Sequence, residues 1–198
     1  MRLSEARRDH YRKLAKEEGY SSRASYKLLQ INSKYKILKA GYCVIDLGCA
    51  PGGWLEVASK EVSVNGRVVG IDKRAVKTKL ANVKVLCMDV FDPLTEERIL
   101  ELCGRKGDVV LSDLSPNISG VWEVDHAKQI DLCRRVVEML PKILARRGSA
   151  VLKAFEGPEF RDFLDELESK FGYVTIAKPL ASRSASSEFY LVCKDYLG

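Results

Sequence analysis

The chain has 198 residues, 46% of them hydrophobic and 30% charged, a composition that excludes a disordered or fibrous protein and allows one sizeable core. It begins MRLSEARRDHYRKLAKEE, charged from the second residue, and has no run of about 18 apolar residues, which excludes a signal peptide and a spanning helix and makes a cytoplasmic protein without a membrane partner the expectation. The net charge is +6, and residues 1–39 carry eleven Lys or Arg against four acids while the other 159 residues sum to −1; a basic segment on a near-neutral body suits a polyanion such as RNA.

Helices are predicted over 4–18 and about 21–38. In the second, Ala24, Leu28, Ile31, Tyr35 and Leu38 recur at helical spacing, with Arg23, Lys27 and Lys34 on a neighbouring stripe after a Ser21-Ser22 cap signal. The first 40 residues thus form a basic helical extension expected to dock RNA. From Cys43 onward strands and helices alternate, with strands predicted at 43–47, 67–71, 83–87, 108–112, 149–153, 173–177 and 188–193. Ile130, Cys133, Val137, Leu140 and Leu144 step by three and four, which predicts a core-packing helix that Pro141 kinks or ends early. A further helix opens at Gly157-Pro158, carries Phe160, Phe163, Leu164 and Leu167 on one face, and stops at Gly172. This alternation predicts a single domain over 1–198: a Rossmann-like, doubly wound α/β fold with a seven-stranded, mostly parallel sheet.

Six scattered cysteines form no C-x-x-C pair, and His10 and His126 lie near no cysteine pair. Buried free thiols and no metal site are the expectation.

The first chemical signal is DLGCAPGGW at 46–54, which closes the first strand and leads into a helical stretch. In an open α/β sheet the ligand crevice lies at the carboxyl ends of the strands. Gly48, Gly52 and Gly53 allow a sharp turn and a close backbone approach to a ligand, although a glycine turn alone could serve only to reverse the chain. Asp72 ends the second strand 24 residues after Gly48, near the offset at which an acid accepts ribose hydroxyls, so a nucleoside ligand is expected. Asp89 and Asp113 end the third and fourth strands, and with Asp46 they bring four carboxylates to one edge. Singly, each reads as a helix cap or a solvated acid; four at successive strand ends read as a site. A nicotinamide-dependent dehydrogenase would share these features.

The elements PGGW at 51–54, SDLSPN at 112–117, VLKAFEG at 151–157 and SSEFYLV at 186–192, with SSRASYKL at 21–28, occur in one order over nearly the whole chain. In these the chain resembles the FtsJ/RrmJ group of RNA 2′-O-methyltransferases. The resemblance implies S-adenosylmethionine as cofactor and a Lys-Asp-Lys-Glu tetrad at Lys27, Asp113, Lys153 and Glu188. It implies cofactor contacts at Gly52, Trp54, Asp72, Asp89 and Asp113, and an antiparallel final strand. Leu114-Ser115 stands where some relatives have Met-Ala, a departure that leaves Asp113 in place. The version acting on a uridine of large-subunit ribosomal RNA is the closest in resemblance, which makes ribosomal RNA or the large subunit the expected partner. A monomer is expected.

Methyl transfer from a sulfonium to oxygen is an in-line displacement governed by alignment and charge placement. Lys153, at the end of an apolar strand, is the candidate base for the 2′-hydroxyl proton, with desolvation and Lys27 favouring its neutral form and the acids opposing this. Asp113 would position the cofactor and Lys153, and Glu188 the lysines or the ribose. The rivals are a tRNA-modifying relative with the same tetrad and a non-catalytic assembly factor that holds RNA through its basic helices. An amino-methylating enzyme is disfavoured, because Asp-Leu-Ser-Pro replaces its Asn/Asp-Pro-Pro-aromatic element at 113–116.

Overall fold

The computed structural model describes residues 13, 14, 17, 20, 22–182 and 187–198. Of the helix expected over 4–18, only residues 13, 14 and 17 are described, and these are helical; the rest of that expectation lies outside the described residues.

Short apolar runs become strands because both of their faces can be covered. Every residue of β1 (Cys43–Leu47) is buried, as is all of β4 (Gly107–Ser112) except the half-buried Asp108, the burial of strands sandwiched between helical layers. With β2 (Arg67–Asp72), β3 (Val83–Cys87), β5 (Leu144–Phe155), β6 (Phe171–Ala177) and β7 (Glu188–Tyr196) they form a seven-stranded sheet in the order β3-β2-β1-β4-β5-β7-β6. Strands β1 to β5 pair in parallel, while β7 is antiparallel to both β5 and β6. Among the described residues this is the doubly wound, mostly parallel sheet read from the sequence, with its final strand reversed.

Two apolar cores follow from the alternation along the strands. Val44, Val68, Val109, Leu111, Val151 and Val192 face α1 (Ala24–Tyr35) and α2 (Gly53–Val62), where Leu28, Ile31, Leu55 and Val57 meet them. Ile45, Leu47, Val69, Val110, Leu152 and Leu191 face the other way, against Ile99 of α3 (Thr95–Cys103), Ile130 and Leu140 of α4 (Trp122–Ile143), and Phe163 of α5 (Phe160–Glu168). Each buried aliphatic side chain contributes roughly 1.5–3 kcal/mol relative to exposure. No helix among the described residues is long and apolar enough to cross a membrane. All six cysteines are free; five are buried and Cys87 is exposed.

Several boundaries differ from the sequence reading. Helix α1 ends at Tyr35 rather than 38, because Lys36 turns left-handed (φ 53°) and the Asn32 side chain accepts the Leu38 N–H at 2.9 Å. Helix α4 starts eight residues before Ile130, through a polar stretch that buries Asp125, His126 and Gln129, and runs only two residues past Pro141. Helix α5 ends at Glu168, and Gly172 lies inside β6 instead of stopping the helix. Strand β5 is twelve residues long and opens directly from α4.

Candidate active site

Sheet order reverses between β1 and β4, and the loops leaving their carboxyl ends part there, which is where open α/β sheets bind ligands. Gly48 sits at φ 81°, and a Cβ on it would meet the Leu114 nitrogen at 3.0 Å, so only glycine lets the two loops touch. The Gly48 and Cys49 N–H groups donate to the Ile71 carbonyl at 2.8 and 3.1 Å, and the Asp113 N–H to the Leu47 carbonyl at 3.1 Å. These bonds fix a cavity of about 660 Å³ lined by Gly48, Ala50, Asp72, Met88, Val90, Phe91, Asp113, Leu114, Ser115, Pro116, Asn117, Lys128 and Asp131, among others. Sites of about 300–1,000 Å³ accommodate small molecules and cofactors.

The acids expected at the strand ends converge here in different ways. Asp72 accepts the Ala50 N–H at 2.9 Å and the Arg74 N–H at 2.9 Å, tying the glycine turn to β2. Asp89 is not part of the lining, although Met88 and Val90 on either side of it are; its carboxylate meets Lys73 at 2.8 Å and accepts the Phe91 N–H at 3.1 Å. Slight burial opposes its ionisation, but these partners hold it below the ordinary aspartate value. Asp46 is fully buried, and neither carboxylate oxygen has a hydrogen-bond partner among the described residues. Burial, then the charges of Asp113 and Asp72, push its carboxyl well above the ordinary range.

Beside the cavity, Lys27, Asp113, Lys153 and Glu188 come together from four separate segments. Lys153 Nζ donates to the Asp113 main-chain carbonyl at 2.8 Å and lies 3.2 Å from its carboxylate. Lys27 Nζ pairs with Glu188 Oε1. The two pairs are joined by Tyr190, which the sequence reading overlooked. Its hydroxyl accepts from Lys27 Nζ at 3.1 Å and reaches Asp113 Oδ1 at 3.0 Å and Glu188 Oε1 at 3.3 Å, two acceptors for one proton. Burial, Asp113 and Glu188 raise the Tyr190 phenol well above its ordinary value. Burial would also raise Glu188, but the charge and hydrogen bond of Lys27, then Lys153 and Tyr190, hold it below the usual glutamate value. The signal for Tyr190 was its place two residues after Glu188, on the same face of β7.

Lys27 reaches the sheet because α1 is bolted to α2. Ser25 Oγ donates to the Gly53 carbonyl at 3.1 Å, and Trp54 Nε1 to the Ala24 carbonyl at 2.9 Å. A Cβ on Gly53 would lie 2.3 Å from Ser22 Oγ, so glycine is required at the contact. This changes the reading of two residues. Trp54 is buried against Tyr190, ring centres 5.6 Å apart, and supports the tetrad from behind instead of lining the cavity. Gly52, at φ 116°, starts α2 and borders a neighbouring hollow. Gln129 Nε2 donates to the Lys153 carbonyl at 2.8 Å and holds the end of β5 from α4.

Sheet order, reversed last strand and an acid-lined crevice at the carboxyl edge define a doubly wound α/β methyltransferase. The chain belongs to the FtsJ-like methyltransferase family, which matches residues 20–196. The protein named ribosomal RNA large subunit methyltransferase E of Nitrosopumilus maritimus is 44% identical over 198 residues, the full length of both chains. That of Methanothermobacter thermautotrophicus is 43% identical over 196 residues, 98% of this chain and 93% of its own. A Plasmodium falciparum crystal structure described as a ribosomal RNA methyltransferase superposes with a TM-score of 0.79 at 27% identity, covering 90% of this chain and all of that one. Fibrillarin in complex with Nop5p shares the fold alone, with a TM-score of 0.59 at 17% identity over 84% of this chain and 78% of its own.

Proposed function

We propose that this protein transfers a methyl group from S-adenosylmethionine to a ribose 2′-hydroxyl of large-subunit ribosomal RNA. The observation that carries the reading is the Lys27, Asp113, Lys153 and Glu188 cluster, linked through Tyr190, at the edge of a cavity walled by the turn after β1 and the ends of β2 to β4. The relatives' names supply the class of RNA.

The residues present fit a nucleoside carrying positive charge. Asp72 lines the cavity and accepts the Ala50 and Arg74 main-chain N–H groups and, at 3.4 Å, the Arg74 Nε–H. Asp46, two residues before Gly48, lies fully buried beneath the turn with no hydrogen-bond partner among the described residues and is held toward its neutral form. Asp89 sits between the lining residues Met88 and Val90, and Gly52 and Trp54 hold the turn in place from outside the cavity. When bound, S-adenosylmethionine supplies an electrophilic methyl group on a sulfonium.

The chain's own residues then have separate tasks. Lys153 Nζ, buried and beside Asp113, is the group we assign to accept the 2′-hydroxyl proton. Asp113 fixes that amine through two oxygens. Glu188 and Tyr190 hold Lys27 as a fixed cation facing the ribose and its phosphate. The basic residues of segment 1–40 dock the RNA through its phosphates. The deciding experiment is incubation with labelled S-adenosylmethionine and large ribosomal subunits, intact ribosomes or tRNA, followed by mapping of the modified nucleotide. A 2′-O-methyl group in large-subunit RNA is expected; label confined to tRNA, or no label, overturns the reading.

A further inference from the structure

Past Asp113 the chain leaves the crevice and enters α4 at Trp122. This stretch holds large apolar side chains in water: Ile118 is 64% exposed, Val121 52%, Trp122 42% and Val124 41%. One exposed apolar residue is ordinary, but several together mark an interaction surface.

The stretch is held on a rigid mount. The Ser119 N–H and hydroxyl and the Gly120 N–H all donate to the Asp125 carboxylate, at 2.7, 2.8 and 3.2 Å. Trp122 stacks on Phe155 (6.1 Å, 26°) and His126 (6.4 Å, 27°) and still leaves 42% of its surface exposed. His126 is pinned in turn, since its Nε2 accepts the Glu159 N–H at 3.2 Å and a Cβ on Gly157 would come within 2.4 Å of its ring. Phe155 follows Lys153 by two residues on the same face of β5 and pairs with Glu188. The Phe155 ring therefore joins Trp122 to the strand that carries Lys153, two residues further along it at about 3.3 Å per residue.

We propose that the outer face of Trp122 is the platform on which the base of the methylated nucleotide stacks, with Ile118 and Val121 as its apolar surround. The proposal rests on the ribose-methylation reading and adds how the acceptor is held. Splayed-out bases are commonly held on aromatic faces, and such stacking tolerates any base; the platform fixes where the ribose lies and leaves the choice of sequence to other contacts. Four partly exposed side chains present far less than the ~800 Å² per partner of a standard interface, which favours a base over a second copy of the chain.

Two measurements test this. In single turnover on large ribosomal subunits, Trp122→Ala should need about tenfold more RNA for half-saturation and turn over more slowly, Trp122→Phe should keep most of the parental behaviour, and both should bind S-adenosylmethionine as the parent does. Parental kinetics in Trp122→Ala, or dissociation of a parental dimer by that substitution, would overturn the platform. The second measurement needs no methylation and stands even if the reaction is misread. The only other tryptophan is the buried Trp54, so oligouridylate should quench the fluorescence of the parent but not of Trp122→Phe, and an abasic ribose-phosphate oligomer of equal length should quench neither. Equal quenching of the parent by both oligomers would also overturn it.

Discussion

Lys153 and Tyr190 stand directly opposite each other in the antiparallel register of β5 and β7. One pairing therefore places the amine and the hydroxyl side by side, and both meet the carboxylate of Asp113, at 3.2 and 3.0 Å. Tyr190→Phe keeps the ring and its packing on Trp54 but leaves Lys27, Asp113 and Glu188 one partner short. We expect about 1–3 kcal/mol of lost stability, read by denaturant unfolding, and a turnover rate reduced about tenfold with cofactor affinity retained. Unchanged turnover would leave Tyr190 a packing residue.

Lys153→Arg separates charge from basicity. Arginine keeps the cation and its donors but stays protonated. Single turnover with saturating RNA should fall by on the order of 10²-fold or more, with cofactor affinity close to parental. Near-parental turnover in the arginine variant would move the proton to another acceptor.

Asp72 serves the turn and, in our reading, the nucleoside. Asp72→Ala should weaken S-adenosylmethionine binding by more than tenfold in titration calorimetry, because it also frees the Ala50 N–H it now accepts. Undiminished affinity would confine Asp72 to the backbone.

Asp46 and Glu188 shift stability in opposite directions with pH. The Asp46 value is raised in the fold, so from about pH 4 upward the unfolded chain ionises more readily and this residue costs increasing stability. Asp46→Asn should raise the Tm near neutral pH by a few degrees, at about 2–4 °C per kcal/mol. Glu188 is lowered, so its contribution is complete above about pH 4.3 and is lost as pH falls toward its folded value. Glu188→Gln should therefore lower stability at pH 7 and flatten the acid limb of the Tm profile.

Replacing Arg7, Arg8, Arg12 and Lys13 with Ala should weaken RNA binding and make its salt dependence shallower, by about 0.9 in log–log slope for each phosphate no longer neutralised. Cofactor affinity should not change. An unaltered slope would show that RNA docks elsewhere.

All seven strands were legible because each is a short apolar run, and the acids were legible because they end those runs. The start of α4 was hidden because Asp125, His126 and Gln129 are buried there for hydrogen bonding, a pattern that apolar spacing cannot register. Gly172 misled because glycine, ordinarily disfavoured in strands, sits in β6 where a Cβ would come within 3.2 Å of the Asp195 side chain of β7. Lys27, Lys153 and Glu188 were found by resemblance; their spacing along the chain carries no trace of a meeting that depends on sheet order and on the docking of α1. The pattern of charged residues marked Asp46 as one acid among four, and only burial reveals it as the one without a partner.

The place of β7 between β5 and β6 bears on how the chain is made. Among the described residues strand β6 pairs with β7 alone, so when it leaves the ribosome it has no such neighbour to bond until β7 follows. The insertion that supplies this neighbour also delivers Glu188 and Tyr190 to Lys27 and Asp113. Closing the sheet and arming the chemistry are thus one event, and a nascent chain halted before β7 would carry an incomplete sheet and lack two of the five residues of the linked cluster.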